Sequence, residues 1–285
     1  MKKDFLTLLD YSAEEITELL DLADQLKYET KHKIEHHILK GKVLAMIFEK
    51  ASTRTRASFE TGMFQLGGHA LFISSKDSQI GRGEPIEDTA RVLSGYVDGI
   101  MIRTFEQETV ETLAQYASVP VINGLTDFAH PCQVLADLMT IREVKGVLSG
   151  LKLCYIGDGN NMANSLIVGC LKLGMSVSIA CPQAYKPAEE IIAFAQKNYP
   201  EKFELTDNVE LAASQSDVLY TDVWASMGQE DEALERKKIF KDYQINHEIL
   251  AAAHTDAMVL HCLPAHRGEE ISADAFEAHA QEIFA

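Results

Sequence analysis

The sequence lacks the cysteine and hydrophobic patterns that mark several large classes of protein. Its five cysteines are scattered along 285 residues, and no two of them form a CxxC pair. This argues against a disulfide framework or a zinc ribbon and is typical of a reducing compartment. No run of 18 apolar residues occurs, and Asp4 and Asp10 interrupt the only segment that resembles a signal peptide. We therefore expect a cytoplasmic protein with no membrane partner.

Positive charge is also scarce. The chain has 26 Lys and Arg residues against 43 Asp and Glu residues, which gives a formal net charge of −17. Nucleic-acid-binding proteins are usually basic, so we expect no nucleic-acid partner. The Walker A, HExxH and GxSxG motifs are absent as well. A cluster of basic residues can still bind an anion, because binding depends on the electric field at the site and not on the net charge of the whole chain.

What the sequence does contain is a repeated alternation of apolar strands and helical segments. Hydrophobic residues make up 46% of the chain, enough for the cores of two domains. The pattern predicts an α/β fold with two domains, each a mostly parallel sheet flanked by helices, with domains at 1–145 and 146–285. The strands do not alternate apolar with polar residues, which predicts sheets covered on both faces. In such sheets, ligands bind at the carboxyl ends of the strands.

The stretch STRTR, Ser52 to Arg56, lies where a predicted strand ends and a helix begins. A helix N-terminus offers unpaired N–H groups and a positive dipole end, which suit a phosphate. Arg54 and Arg56 lie about 200° apart on a helix, so we place Arg54 in the site and Arg56 behind it. Ordinary helix capping with solvated arginines is the alternative, but it accounts for a single Ser or Thr.

Two further strand ends in the first half carry polar residues. Arg103 follows the strand GIMIRT, where a ligand role and a surface role are equally plausible from sequence. Pro131 is suited to the first position of a helix, which places His130 and Gln133 at a second helix start. An imidazole there can donate to a carbonyl oxygen, and a glutamine can bind an amide. A structural histidine is the alternative for His130.

The second half has three comparable strand ends. The segment GDGNN resembles a dinucleotide loop but does not complete GxGxxG, and Asn161 there could instead bind a small polar ligand. Asp222 ends another strand and is followed by a loop with Ser226 and Met227. Cys262 ends the last strand, where a buried and inert cysteine is the alternative.

Four motifs, in this order, resemble those of the aspartate/ornithine carbamoyltransferase family over nearly the whole chain. STRTR is similar to the family's carbamoyl phosphate loop and HPCQ to its carbamoyl-binding segment. DVWASMG and HCLP resemble the amino-acid end of the ornithine-specific members. The resemblance implies the reaction of carbamoyl phosphate with L-ornithine to give L-citrulline and phosphate. It implies no cofactor and no metal, since cationic side chains already do what a Lewis acid would do.

The resemblance also implies roles for individual residues. Those implied to act in catalysis are Arg54, Arg103, His130, Asp222 and Cys262. Those implied to bind carbamoyl phosphate are Ser52, Thr53, Arg54, Thr55, Gln79, Arg103, His130, Pro131, Cys132, Gln133, Cys262 and Leu263. Those implied to bind ornithine are Asn161, Asp222, Ser226 and Met227. Gln79 is implied to reach the phosphate from a neighbouring subunit of a homotrimer, with active sites at subunit interfaces.

Three other functions are compatible with parts of the sequence. A carbamoyltransferase for another amine, such as putrescine, would be expected to change the site for the α-carboxylate. A nucleotide-binding oxidoreductase would explain GDGNN but not STRTR or HPCQ. A non-catalytic phosphate-binding relative is the third. Family members usually have a further helix after the segment AHAQEIFA, with another arginine, so adding one is expected to raise activity and stability.

Overall fold

The computed structural model describes residues 2–225 and 230–285 of the chain. The chain divides into two compact units, Met1–Cys132 and Gln133–Ala285, and each is described by itself. The domain boundary predicted between residues 145 and 146 stays a prediction.

Unit 1 contains a four-stranded parallel sheet with strand order β2-β1-β3-β4. Its strands are β1 (Val43–Phe48), β2 (His69–Ser74), β3 (Gly99–Arg103) and β4 (Val121–Leu125). Its helices are α1 (Ala13–Lys31), α2 (Thr53–Gln65), α3 (Ile86–Ser94), α4 (Gln107–Tyr116) and the start of α5 (Pro131–Lys145). One-turn 3-10 helices lie at Leu8–Asp10, Ser75–Asp77 and Ile80–Arg82.

Unit 2 contains a five-stranded parallel sheet with strand order β7-β6-β5-β8-β9. Its strands are β5 (Lys152–Ile156), β6 (Ser176–Ala180), β7 (Phe203–Thr206), β8 (Val218–Thr221) and β9 (Met258–His261). Its helices after α5 are α6 (Asn161–Lys172), α7 (Glu189–Asn198), α8 (Val209–Ala213), α9 (Ala233–Phe240), α10 (His247–Ala252), α11 (Ala273–Ala278) and α12 (Ala280–Ile283). A 3-10 turn at Glu230–Glu232 precedes α9.

Most strands are largely buried, and the two edge strands β2 and β7 are the exceptions. Every described residue of β8 and β9 is buried, whereas β2 has no buried residue. The expectation that all strands are covered on both faces is therefore wrong for β2 and also for β7. Both strands lie at a sheet edge, where covering helices leave part of the surface open to solvent. At the other edge of the first sheet, the backbone of Phe5 bonds to Val121 and Asn123 at 2.8 Å and covers β4.

The predicted fold class is confirmed: two parallel sheets, each flanked by helices. The capping box predicted for α1 is also present, since Ser12 accepts from the Glu15 amide and Glu15 accepts from the Ser12 amide. No helix within 2–225 or 230–285 is long and apolar enough to cross a membrane.

Replacing Gly159 by alanine should destabilise unit 2. A Cβ at this position would lie 2.2 Å from the Pro187 backbone nitrogen and 2.3 Å from the Lys186 carbonyl carbon. The backbone cannot yield as a side-chain end can, so we expect a loss of about 1–3 kcal/mol in urea unfolding. Gly62→Ala is the matched control, since nothing lies within 4 Å of its Cβ position in α2. It should stabilise by about 0.5–1 kcal/mol, because alanine is the better helix former. Equal effects of the two changes would contradict the argument.

Candidate functional site

The STRTR segment forms the first turn of α2, as predicted. Ser52 is the N-cap, and its hydroxyl accepts a hydrogen bond from the Thr55 amide at 3.2 Å. Thr53 and Arg54 occupy the first two helical positions. The turn directly follows β1, so helix N–H groups and hydroxyls collect at the carboxyl end of an inner strand. This is the arrangement that binds phosphate groups in proteins.

The two arginines of this segment have different surroundings. The Arg56 Nε donates to Glu60 one turn later at 2.9 Å, and its guanidinium lies 3.8 Å from the centre of the Phe72 ring. Arg54 lies close enough to His130 for its charge to affect the imidazole. The two side chains therefore serve different surfaces, as their spacing on the helix predicts.

His130 lies in a cationic environment that keeps it neutral. Burial lowers its pKa from 6.5 to about 3, with smaller contributions from the charges of Arg103 and Arg54. Arg103 is the last residue of β3, and its side chain is buried. A neutral imidazole can donate a hydrogen bond to a carbonyl oxygen without adding charge. The sequence predicts Arg54, Arg103 and His130 at separate strand and helix ends. The fold brings them close enough for the two arginine charges to affect the imidazole.

The HPCQ segment opens α5, with Pro131 at the first helical position. The Cys132 thiol donates to the Asn123 carbonyl oxygen at 3.4 Å, and burial raises its pKa to about 12. It is therefore a thiol at neutral pH and a poor nucleophile. Gln79 lies at the start of the Ile80–Arg82 turn and is exposed. Its contact across a subunit boundary stays a prediction.

Asp137 is a buried carboxyl group that sequence reasoning did not find. It accepts from the Gln133 side-chain amide at 2.9 Å and from the Tyr220 hydroxyl at 3.0 Å. Burial raises the pKa of Asp137 from 3.8 to about 7. The two hydrogen bonds act to lower this pKa, and the nearby charge of Asp222 acts to raise it further. The signal available in the sequence was the i, i+4 spacing from Gln133, which puts both residues on one helix face.

In unit 2, Asp222 is the centre of a second polar cluster. The Asn160 amide donates to its Oδ2 at 2.9 Å, and the Cys262 thiol donates to its Oδ1 at 3.0 Å. Asn160 is the N-cap of α6, where Oδ1 also accepts from the Met162 amide. The fold thus joins the ends of β5, β8 and β9. Sequence reasoning named Asn161, the first residue of α6, but missed its neighbour Asn160, which holds Asp222.

A buried arginine lies at the base of the loop that follows β8. Arg236 of α9 donates to Asp158 at 2.7 Å and to the Trp224 carbonyl oxygen at 3.0 Å. Burial raises the pKa of Asp158, although the charge of Arg236 acts against this. The predicted ornithine ligands Ser226 and Met227 lie outside the described residues.

The HCLP segment is held by a buried histidine–glutamate pair. The Nδ1 of His261 accepts from the Leu263 amide at 2.8 Å, so its proton is on Nε2, which lies 3.0 Å from Glu270. Leu263 has a φ of 59°. Asp222, His261 and Cys262 place ligand-type atoms within 4.8 Å of one another. Both ring nitrogens of His261 and the thiol of Cys262 already take part in hydrogen bonds.

Comparisons with known proteins assign both halves of the chain. Residues 3–143 match the family model for the carbamoyl-P binding domain of aspartate/ornithine carbamoyltransferases. Residues 149–285 match the model for the Asp/Orn binding domain of the same family. The chain belongs to the aspartate/ornithine carbamoyltransferase family. The motifs that predicted this membership span both domains.

Relatives in this family are similar over nearly the whole chain. An ornithine carbamoyltransferase of Oceanobacillus iheyensis is 57% identical over 99% of this chain and 88% of its own length. The solved ornithine carbamoyltransferase of Pyrococcus furiosus is 53% identical, with a TM-score of 0.93 over 97% of this chain and 89% of that chain. The anabolic enzyme of Campylobacter jejuni is 45% identical, with a TM-score of 0.93 over 100% of this chain and 93% of that chain.

Replacing Asp137 by asparagine should flatten the pH dependence of stability. Between pH 4 and 7 the folded protein keeps the Asp137 proton that the unfolded chain has lost. The contribution of this group is therefore present below pH 4 and is lost as pH rises through 7. A shift of this size corresponds to up to about 4 kcal/mol. Urea unfolding of the wild type and of Asp137→Asn at pH 4.5 and 7.5 measures the difference.

Asp98→Asn is the control for this measurement. The pKa of Asp98 is lowered by its bonds to Lys42 and the Val43 amide, so its contribution is lost as pH falls, below the range tested. It should leave the change between pH 4.5 and 7.5 as in the wild type. If the free energy of unfolding of Asp137→Asn changes between pH 4.5 and 7.5 as much as that of the wild type, the buried carboxyl group does not retain its proton.

Proposed function

We propose that this chain transfers the carbamoyl group of carbamoyl phosphate to the δ-amine of L-ornithine, giving L-citrulline and phosphate, in arginine metabolism. The observation that carries the proposal is the division of charge between the two units. The strand ends of unit 1 carry Arg54 and Arg103, which suit an anion. The strand ends of unit 2 carry the buried carboxyl group of Asp222, which suits an ammonium, whereas Asp158 is already paired with Arg236.

Carbamoyl phosphate is bound through its phosphate by the first turn of α2. The hydroxyls of Ser52, Thr53 and Thr55 and the amides of Ser52 and Thr53 donate to it, and the guanidinium groups of Arg54 and Arg103 balance its charge. Support comes from the N-cap geometry of Ser52. His130 and Gln133 bind the carbamoyl group, with Pro131, Cys132, Cys262 and Leu263 beside it, and Gln79 of a neighbouring subunit completes the phosphate site.

The reaction begins when the neutral δ-amine attacks the carbonyl carbon. As the N–C bond forms, negative charge grows on the carbonyl oxygen, where Arg54, Thr55 and His130 donate hydrogen bonds. The neutral state of His130 supports this role, since a pKa lowered to about 3 leaves one ring N–H to donate at neutral pH. The C–O bond to phosphate then breaks, and the phosphate leaves with the bonding electrons. The attacking nitrogen gives up its proton to the departing phosphate, which leaves the neutral ureido group of citrulline.

Ornithine is bound by unit 2. Asp222 pairs with an ammonium group of the substrate, and Asn160 holds the Asp222 carboxylate in place. The Cys262 thiol, which donates to the same carboxylate, lies next to the reacting amine. Asn161, Ser226 and Met227 bind the amino-acid end. A diamine such as putrescine lacks the carboxylate that these last residues recognise.

The active protein is proposed to be a cytoplasmic homotrimer. This assembly is required by the role given to Gln79, which is exposed at its own subunit's surface. A citrulline assay with each substrate omitted in turn tests the function. Product should require both substrates, putrescine should not replace ornithine, and added NAD should have no effect. Absence of citrulline with both substrates present would contradict the proposal.

Arg54→Ala should weaken carbamoyl phosphate binding and slow turnover. Loss of one charge-assisted donor to the phosphate and oxyanion removes about 2–4 kcal/mol of transition-state stabilisation. Steady-state kinetics with varied carbamoyl phosphate measures this. Arg56→Ala is the matched control, because its guanidinium binds Glu60 and Phe72 instead. Wild-type kinetics in Arg54→Ala, or equal losses in both variants, would show that STRTR does not bind phosphate through Arg54.

Asp222→Asn should impair ornithine use far more than carbamoyl phosphate binding. The carboxylate would no longer pair with an ammonium, whereas the phosphate site in unit 1 is unchanged. Calorimetric titration of each ligand separates the two effects. Asp217→Asn serves as the control, since Asp217 precedes β8 and accepts from the Lys152 amide at 2.8 Å, at the opposite end of the strand. Equal losses for both ligands in Asp222→Asn would argue against separate substrate sites.

A further inference from the structure

The orientation of the Gln133 amide is fixed by a residue outside the predicted substrate-binding set. Its Nε2 donates to Asp137 Oδ1 at 2.9 Å, one turn further along α5. The second oxygen, Oδ2, accepts from the Tyr220 hydroxyl at 3.0 Å. Asp137 and Tyr220 are both buried, and Tyr220 lies in β8 at the centre of its sheet. The carboxyl group is therefore held from two sides by elements far apart in sequence.

This arrangement matters because the two ends of an amide have nearly the same shape and opposite hydrogen-bonding character. The carbonyl oxygen accepts and the amino group donates, so an unrestrained glutamine side chain can present either one. In this protein both oxygens of Asp137 accept, and above pH 7, where the carboxyl group is ionised, neither oxygen can donate. The amino end of Gln133 is directed to Asp137, and its carbonyl oxygen is left for another donor.

The ligand that meets Gln133 under the proposed function has a matching donor. A carbamoyl group carries an amino group where an acetyl group carries a methyl group of similar size. Shape alone discriminates poorly between two such ligands, whereas a hydrogen-bond acceptor that loses its partner imposes a penalty on the wrong one. A reversed Gln133 amide would place two amino groups against each other and remove that discrimination.

We propose that Asp137 is a positioning residue that orients Gln133 so that the site selects a carbamoyl group over an isosteric acyl group. This inference rests on the proposed function, since it takes Gln133 to contact the carbamoyl group. Asp137 acts through Gln133 and does not touch the substrate. Tyr220 fixes the other carboxyl oxygen and so sets the rotation of the carboxyl plane.

The test compares two stable phosphonates that differ only in the group concerned. Phosphonoacetamide carries the amino group and phosphonoacetone carries a methyl group. Their dissociation constants are measured by calorimetry for the full chain and its variants well above pH 7, where Asp137 is ionised. The ratio of the two constants does not depend on the fraction of protein that is active, so partial misfolding of a variant leaves it unchanged. In the wild type we expect the amide to bind about tenfold more tightly.

Asp137→Leu should bring this ratio close to one, because it removes the acceptor for the Gln133 amino group. Asp137→Asn should keep most of the preference, since its Oδ1 can still accept from Gln133 while its amino group bonds to Tyr220. Leu138→Ala, at a fully buried neighbouring position in α5, is the control for general destabilisation and should leave the ratio unchanged. If Asp137→Leu does not fold, Asp137→Leu with Tyr220→Phe removes both buried polar partners together and gives the same expectation.

Several results would overturn the proposal. One is an equal affinity of the wild type for both phosphonates, and another is an unchanged ratio of dissociation constants in the leucine variants. The others are a ratio close to one in Asp137→Asn, or a ratio that falls as far in Leu138→Ala as in Asp137→Leu. Each would show that Asp137 stabilises α5 without orienting Gln133. A wild type that binds neither phosphonate and makes no citrulline would instead refute the proposed function. The two failures are therefore distinguishable.

Discussion

Both candidate sites depend on one constraint: the strands of a parallel sheet all end at the same edge. Backbone pairing within each sheet aligns β1 with β3, and β5 with β8 and β9. Residues that are far apart in sequence, such as Asp222 and Cys262, are brought within hydrogen-bond distance by this pairing. The apolar residues of the strands are buried, and this burial holds the strands in register. The polar residues at the strand ends are then available to contact a ligand.

Burial then sets the charge state of the groups at these ends. His130 is neutral because it is buried near two arginines, so it can donate a hydrogen bond without adding a positive charge. Asp137 holds its proton to about pH 7 because its surroundings exclude water. The same physical effect produces a neutral base in one unit and a neutral acid in the other. For Asp137 a retained proton near neutral pH is unusual for its residue type, whereas for His130 burial extends the neutral state to much lower pH.

Residues outside the predicted set hold the predicted ones in place. Asn160 orients Asp222, Arg236 joins Asp158 to the Trp224 carbonyl, and His261 fixes the Leu263 amide. Arg236 and His261 are buried, and Asn160 is half-buried. Such contacts are costly to leave unsatisfied, so these residues restrict the site to one arrangement. The predicted site residues are thus held by further residues that the sequence did not indicate.

The sequence by itself determined the fold class, the family and the element that carries each motif. Apolar runs of strand length, helix-start residues such as Ser52 and Pro131, and motif order are local properties, and they survive without tertiary contacts. Only the tertiary structure decided which ends meet, that β2 is open to solvent, and that Asp137 reaches Tyr220 across 83 residues. Protonation states also came from the fold, because a pKa depends on burial and on neighbouring charges that no local pattern records.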